Sequence, residues 1–275
     1  MRLVSAKLPF KMGRLYAGIE PNDGAAIHEG RSFFQSNLKA KYFRQGKFEG
    51  EIDLGSGLVT NIGVLALAND MNWASPSAAA VNVFKLLKFH ASGKGVTAAA
   101  ITDFKIETDS TVGGQTPVSG TQVFTPDPTG TVQKIVSVAT IAYTGTEAVT
   151  EWGWYNDSTL SRTTGSPFTA TGATSGTVTG TPLTASSTTV QGEQQHVVHT
   201  TTTPRIGLIL SNSTSVLTIE AWRVATTGII GSTPGATETY ALRPLMWDHK
   251  VFSAINVNNG DSIQFTYTLT ISSGG

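Results

Sequence analysis

The C-terminal segment constrains the fold of this chain more than any other stretch. From Ile263 to Ile271 every second side chain is apolar, and the residues between them are Gln264, Thr266, Thr268 and Thr270. Alternation with period two is typical of a strand with one face on a core and the other in water or against a neighbouring subunit. We therefore expect a long β-strand here.

The residues before this strand predict a hairpin. Asn258 to Asp261 reads Asn-Asn-Gly-Asp and follows an apolar run that contains Val251, Ile255 and Val257. Asn and Gly tolerate the positive φ angles that a type I′ turn needs at its two central positions. The pattern predicts two antiparallel strands joined by this tight turn.

Two segments resemble a family of tailed-bacteriophage virion structural proteins. The first is the Glu-aromatic-Gly strand, here within 150–155. The second is Lys250 to Leu269, which follows the family pattern Arg- or Lys-Val-Phe-Ser-x-Ile-x-Val-x-x-Gly-Asp-Ser-Ile-Gln-x-Thr-Tyr-x-Leu. Residues 61–100 are also similar, so the resemblance covers about 55–275. Its motifs are structural rather than catalytic, and it implies a phage-particle component that assembles in the host cytoplasm.

Composition excludes several kinds of partner and site. Only 14% of residues are charged and the formal net charge is zero, which argues against a specific nucleic-acid partner. The chain has no cysteine, so disulfides and thiolate metal ligands are excluded. No apolar run approaches the ~18 residues of a membrane span. Lys7, Pro9 and Lys11 interrupt any apolar signal-peptide core, so we expect no secretion and no membrane partner.

Residues 1–54 differ from the rest and predict an extended basic N-terminal arm. The first 50 residues carry nine Lys or Arg against four Asp or Glu. The arm either docks on its own chain through short strands or reaches onto a neighbouring subunit; binding of single-stranded nucleic acid through alternating aromatic and basic residues is a weaker alternative. The candidate partner-binding residues are Phe33, Phe34, Lys39, Lys41, Tyr42, Phe43, Arg44 and Lys47.

Residues 55–155 together with 244–275 read as an antiparallel β-sandwich core, jelly-roll-like in character. Strands are predicted over 132–143 and 148–155, where β-branched and aromatic residues are prominent. A strand is also predicted over 81–89, a further short strand or edge segment around 101–106, and a short helix around 66–71.

Residues 156–243 read as an inserted β-domain. In simpler relatives of the resembled family the Glu-aromatic-Gly strand leads almost directly to the Val-Phe-Ser strand. Here the intervening segment is rich in Ser and Thr, and between 158 and 240 its charged side chains are three Arg and three Glu. Because Thr and other β-branched residues favour strands, we expect a small β-domain at the tip of a hairpin rather than a linker.

The histidines do not form a convincing chemical site. His196 and His199, with Glu193 nearby, would point to opposite faces of a strand, which makes a poor zinc site. Asp248 and His249 are adjacent on a predicted strand and should also point apart, with no nucleophile motif beside them. We therefore predict no catalytic residue and no metal.

Two further groups of residues could have either a structural or a functional role. Asp103, Glu107 and Asp109 lack the spacing of a calcium loop, although they could bind a cation weakly. Trp152 and Trp154 share one face of a strand, so we favour core packing over a sugar-stacking surface. No cofactor is predicted.

Combined with the resemblance, these features predict a non-enzymatic structural protein of a tailed-phage virion. The favoured role is a capsid decoration or cement protein that binds the major capsid protein and itself, as a homo-oligomer such as a trimer. The alternative is a tail, neck or fibre-associated virion protein that recognises a host glycan through residues 156–243. Either protein would reside in the virion.

Overall fold

The structure is a computed structural model that describes residues 31–70, 87–126, 132–158, 162–172, 174–178, 196–199, 205–227, 229–234 and 238–274. In chain order the elements are β1 (Arg31–Arg44), β2 (Lys47–Gly55), β3 (Leu58–Val59), α1 (Asn61–Asp70), β4 (Phe89–Gly93), β5 (Val118–Ser119), β6 (Thr121–Pro126), β7 (Val132–Ala142), β8 (Glu147–Tyr155), β9 (Arg162–Gly172), β10 (Ser175–Val178), β11 (His196–His199), β12 (Arg205–Asn212), β13 (Val216–Val224), β14 (Glu238–Arg243), β15 (Met246–Val257) and β16 (Ser262–Gly274).

Two five-stranded antiparallel sheets form a sandwich. Sheet A has the order β2-β1-β16-β7-β6, and sheet B has the order β3-β15-β8-β4-β5. The two sheets share one buried cluster, in which Phe265 and Tyr267 of sheet A meet Trp152 and Trp154 of sheet B. The prediction of a mainly β chain with an antiparallel sandwich is confirmed, and its jelly-roll character stays a prediction.

The alternation in β16 determines which face of sheet A is buried. Ile263, Phe265, Tyr267 and Leu269 are fully buried, whereas the polar residues between them are half-exposed. β16 lies at the centre of the sheet, between β1 and β7. The strands predicted over 132–143 and 148–155 correspond to β7 and β8, and these predictions are also confirmed.

The predicted C-terminal hairpin is wrong. β15 pairs with β3 and β8 in sheet B, whereas β16 pairs with β1 and β7 in sheet A. The turn at 258–261 therefore crosses from one sheet to the other. Gly260 has a φ of 86° and Asp261 N–H donates to the Asn258 carbonyl at 3.0 Å. Asn259 has no positive φ, so the turn fits type II, which requires positive φ only at its third residue.

A hairpin with a type I′ turn occurs instead between β1 and β2. Gln45 and Gly46 have φ angles of 46° and 82°, as both central positions of that turn require. β1 pairs with β16 over thirteen residue pairs, from Arg31 to Phe43, and Leu38 and Ala40 are fully buried. The described part of the predicted arm, 31–54, is therefore integral to sheet A, because alternate β1 side chains complete the core. Residues 1–30 lie outside the described residues.

Three local elements differ from their predictions. The helix begins at Asn61, earlier than predicted, and Thr60 caps it by accepting the Gly63 N–H at 3.1 Å. In the predicted strand over 81–89 the described part begins at 87, and β4 begins only at Phe89. The segment predicted as a short strand or edge around 101–106 forms turns. Asp103 N–H donates to the Ala100 carbonyl at 3.0 Å, and Ile106 N–H donates to the Tyr155 hydroxyl at 2.9 Å.

Residues 162–243 contribute all six strands of a closed barrel, in the order β10-β13-β12-β11-β14-β9. The barrel follows β8 and precedes β15, which pair with each other in sheet B. Ile209, Leu217 and Trp222 are buried within this unit. Ile206 and Leu208 of β12 belong to the same buried cluster as Ile62 of α1, so the barrel packs against the sandwich.

No helix in the described ranges is long and apolar enough to span a membrane.

Candidate functional site

The candidate site is built on the connection from β4 to β5, residues 94–117, which we call the anchored loop. It contains no strand or helix. Irregular connections of this length inside a compact domain are uncommon and are usually functional when ordered. The anchored loop is held to sheet B by carboxylates that accept hydrogen bonds from its backbone.

Glu151 of β8 is the central anchor. It is fully buried, and its carboxylate accepts backbone N–H groups of Gly95, Glu107 and Thr108 at 2.6, 2.7 and 2.8 Å. Burial alone would raise the pKa of Glu151, but hydrogen bonds from His249 and from the backbone hold that pKa below its usual value. Glu151 is therefore ionised at neutral pH.

His249 of β15 links this anchor to a second carboxylate. Its Nδ1 lies 2.7 Å from Asp103 Oδ2 in the anchored loop, and its Nε2 lies 3.2 Å from Glu151 Oε2. Burial would lower the pKa of His249, yet the bonds to Asp103 and Glu151 outweigh burial and raise it to about 9. The ring is therefore an imidazolium at neutral pH, donating from both nitrogens. We call Asp103, Glu151 and His249 the imidazolium cluster.

Other carboxylates fix the remainder of the loop. Glu107 accepts the N–H groups of Val96 and Thr97, both at 2.9 Å, and the Thr97 hydroxyl at 2.6 Å. Asp103 accepts the Ala100 N–H at 2.7 Å. Glu147 accepts the Ser110 hydroxyl at 2.8 Å and the Thr111 N–H at 3.0 Å. The loop conformation is thus set by side-chain acceptors instead of a strand ladder.

Gly95 is required by this close approach. A Cβ at this position would lie 2.6 Å from Glu151 Oε1 and 2.6 Å from Glu107 Cβ. Any larger residue would displace a carboxylate that anchors the loop. The close approach of Glu151 and Glu107 therefore leaves room only for glycine at this position.

The geometry of the imidazolium cluster does not support acid–base catalysis. Both ring nitrogens of His249 bond to carboxylates, so neither faces a hydroxyl nucleophile. Asp248 lies on the opposite side of β15, where it accepts the Tyr267 hydroxyl at 2.8 Å. Burial raises the pKa of Asp248 to about 6. The expectation that Asp248 and His249 point apart is confirmed.

The anchored loop borders two shallow clefts. One, of about 430 Å³, is lined by the loop, by the β2–β3 connection and by His249 and Lys250 of β15. The other, of about 410 Å³, lies between α1, the loop and strands β12 and β13 of the barrel. Val96 and Ile101 of the loop are 77% and 39% exposed, so the loop presents apolar side chains on a fixed backbone.

The other candidate ligands are placed as follows. Asp103 and Glu107 accept hydrogen bonds from the loop's own backbone. Asp109 is exposed, and its backbone forms an isolated antiparallel β-bridge with Gly93. His196 and His199 lie on β11, but their side chains are outside the described residues. Among the described side chains, no group of three His, Asp or Glu could hold a metal ion.

Trp152 and Trp154 are core residues. Both are buried, and Tyr267 packs against both rings, with centroids 5.2 and 4.4 Å away. The Trp152 ring nitrogen donates to His90 Nδ1 at 3.2 Å. The packing interpretation is confirmed, and this pair offers no surface for stacking a sugar.

The eight predicted partner-binding residues occupy β1 and the start of β2. Phe34 and Tyr42 pack against the core, and Phe43 packs on Phe48 with ring centroids 5.7 Å apart. Lys39 and Lys41 lie 3.7 and 3.5 Å from the carboxylate of Glu51. These residues divide between the two faces of sheet A and do not form one patch.

The remaining three of the eight residues lie near the β1–β2 turn or at the start of β1. Arg44 donates to Asp261 at 2.9 Å, Lys47 is exposed, and the side chain of Phe33 lies outside the described residues. Partner binding by this set stays a prediction.

Comparisons of the chain with protein-family models, curated proteins and solved structures found no match.

The imidazolium cluster was missed by sequence reasoning. Asp103, Glu151 and His249 lie far apart in the chain and carry no spacing motif. One signal was available, because Glu151 directly precedes Trp152 in an otherwise apolar and aromatic stretch of the predicted strand. A carboxylate in a strand this apolar needs hydrogen-bond donors when it is buried.

Proposed function

We propose that this chain is a structural component of a tailed-phage virion, and that within the particle it is a decoration protein that stabilises the major capsid lattice. The sequence resemblance carries the assignment to a virion. The chemistry of the matching segments supports a structural role rather than catalysis. Glu151 anchors a loop and Asp261 fixes a corner between sheets, while Trp152, Phe265 and Tyr267 fill the core.

The outer face of sheet A suits repeated contacts over a lattice. Its centre carries a row of threonines on β16, Thr266, Thr268 and Thr270, whose partners on β7 are Val138, Val136 and Lys134. On β1 the cations Lys39 and Lys41 lie opposite Asp53 and Glu51 of β2, so this side of the face has little net charge. A face of hydroxyl and partly buried apolar side chains can make many modest contacts, which become strong when multiplied over a lattice.

The experiment is to produce particles that lack this protein and to measure their thermal disruption. We expect the heads to open at lower temperature than complete heads, and purified protein added back should restore the difference. Heads with unchanged disruption temperature would contradict the cement role. Particles that fail to adsorb to host cells would instead favour the alternative role.

That alternative is a tail-, neck- or fibre-associated protein that binds a host glycan through the inserted unit. One observation favours it: residues 162–243 form a closed barrel of their own, appended to one end of β8 and β15. Soluble host glycans that block adsorption of complete particles would support this role.

A further inference from the structure

The sandwich has four sheet edges, and three of them are unsuited to pairing with another chain. β3 and β5, at the edges of sheet B, have two residues each. β2, at one edge of sheet A, carries Lys47, Glu49, Glu51 and Asp53, and it has two register irregularities with β1. Very short strands, charged side chains and bulges are the devices that prevent edge-to-edge association.

β6, the fourth edge, has none of these devices over residues 121–125. Its sequence Thr-Gln-Val-Phe-Thr-Pro has no charge, and its pairing with β7 is regular. Val123 and Phe124 are 53% and 61% exposed. Within the described part of the chain β6 pairs with β7 alone, so its other side offers free backbone donors and acceptors.

The faces of β6 follow from its register with β7. Gln122 and Phe124 are opposite Ser137 and Ile135, which in turn pair with Tyr267 and Leu269 on the core side. Thr121, Val123 and Thr125 are therefore on the outer face. Pro126 has no N–H to donate, so it limits any added ladder to about residues 121–125.

We propose that β6 is a self-association edge, where a second copy of this chain adds its own β6 in antiparallel orientation. A two-fold axis through Val123 and perpendicular to the sheet would join two copies of sheet A into one ten-stranded sheet. Such an axis keeps outer faces continuous with outer faces. This proposal does not depend on the virion assignment.

The edge is self-complementary in this register. Val123 stands opposite Val123 of the partner subunit, and Thr121 stands opposite Thr125 of the partner subunit. Gln122 stands opposite Phe124 of the partner subunit on the core side. Cross-strand pairs of β-branched residues and Thr–Thr pairs stabilise antiparallel ladders. No like charges oppose each other, whereas two copies of β2 would bring several charged side chains together.

A single introduced cysteine tests both the partner and the register. The natural chain contains no cysteine, so V123C carries one thiol per molecule. Directly opposed residues of an antiparallel pair lie about 4.5–5.5 Å apart at Cα, within the range that a disulfide spans. The matched control is T140C, which places the thiol on the same outer face at exposed Thr140 of β7, away from the edge.

We expect mild oxidation of the full-length protein to convert V123C to a disulfide-linked dimer at least ten times faster than T140C. Sedimentation of the unmodified protein should show a concentration-dependent dimer. V123K should raise the dimer dissociation constant at least tenfold, whereas T140K should leave it unchanged. Circular dichroism establishes that each variant is folded.

Three results would overturn the proposal. One is an unmodified protein that is monomeric at every accessible concentration. Another is equal cross-linking of V123C and T140C. The third is a folded V123K variant that dimerises as strongly as the unmodified chain.

Discussion

His249 shows how one side chain joins parts of the chain that are distant in sequence. Its imidazolium lies between Glu151 of β8 and Asp103 of the anchored loop. Without that positive charge, the buried carboxylate of Glu151 and the partly exposed carboxylate of Asp103 would lie near each other with no cation between them. The bonds of Glu151 and Asp103 to the loop backbone therefore depend indirectly on the charge of His249.

We predict that H249Q destabilises the protein by about 3 kcal/mol, as expected when one partner of a buried ionic cluster is removed. The measurement is urea unfolding at pH 7. Backbone amides of Gly95, Ala100 and Thr108 should also exchange with deuterium faster than in the natural chain. K134Q, which removes an exposed cation on the outer face of sheet A, is the control and should change neither quantity. Unchanged exchange in H249Q would contradict the anchoring role.

The raised pKa of His249 predicts that the stabilisation contributed by this residue depends on pH. The folded-state pKa of His249 is raised to about 9 from 6.5, so its stabilisation is fully present below pH 6.5 and is lost as pH rises through 9. The difference in unfolding free energy between the natural chain and H249Q should therefore shrink between about pH 6.5 and 9.5. Taking this difference removes contributions from groups common to both proteins. A difference that stays constant over this range would contradict the assignment of an imidazolium.

At the scale of elements, two crossings between the sheets pack side by side. The β7–β8 crossing and the β15–β16 crossing exchange backbone hydrogen bonds, from Tyr143 N–H to the Asp261 carbonyl and from Gly260 N–H to the Tyr143 carbonyl, both at 2.9 Å. The Asp261 carboxylate also accepts the Asn258 N–H at 2.9 Å and an Arg44 N–H at 2.9 Å. One buried carboxylate thus joins the corner to the β1–β2 hairpin.

We predict that D261A destabilises the chain by about 2 kcal/mol, because a buried site loses charge-assisted hydrogen bonds. N259A alters the neighbouring exposed turn residue and should change stability by less than about 0.5 kcal/mol. Chemical unfolding of both variants measures the difference. Equal stabilities would show that the corner does not depend on this carboxylate.

Sequence reasoning identified strands better than their partners. β16 was predictable from its period-two alternation, and β7 and β8 from their β-branched and aromatic residues, because these signals are local properties of the sequence. The crossing from one sheet to the other at 258–261 was not predictable. An Asn-Gly sequence is compatible both with a turn inside a hairpin and with a turn that connects two sheets. The interior place of β1 in sheet A was obscured by Lys39, Lys41 and Arg44. Their charges face outward or pair with acids, while Leu38 and Ala40 enter the core.

The anchored loop illustrates a different limit of sequence reasoning. Apolar Ile106 suggested a strand, and it is indeed fully buried, but its N–H donates to the Tyr155 hydroxyl at 2.9 Å. Its neighbours bond to carboxylates that lie elsewhere in the chain. Such non-local acceptors leave no periodic signal, so neither the loop nor the imidazolium cluster could be found from local patterns.

At the scale of the whole molecule, a β-sandwich carries a closed barrel and an outer sheet face with a central row of threonines. The segments that resemble virion proteins form the centre of both sheets, through β8, β15 and β16. The resemblance and the outer face of sheet A are together the basis for proposing a decoration role.

The most direct test of that role is the amount of this protein relative to the major capsid protein in purified heads, after the tails have been removed. The measurement is quantitative staining or mass spectrometry of the two bands. A decoration protein should remain with the heads at a copy number comparable to that of the major capsid protein. A few copies per particle, lost together with the tails, would contradict the proposal and favour the tail-associated alternative.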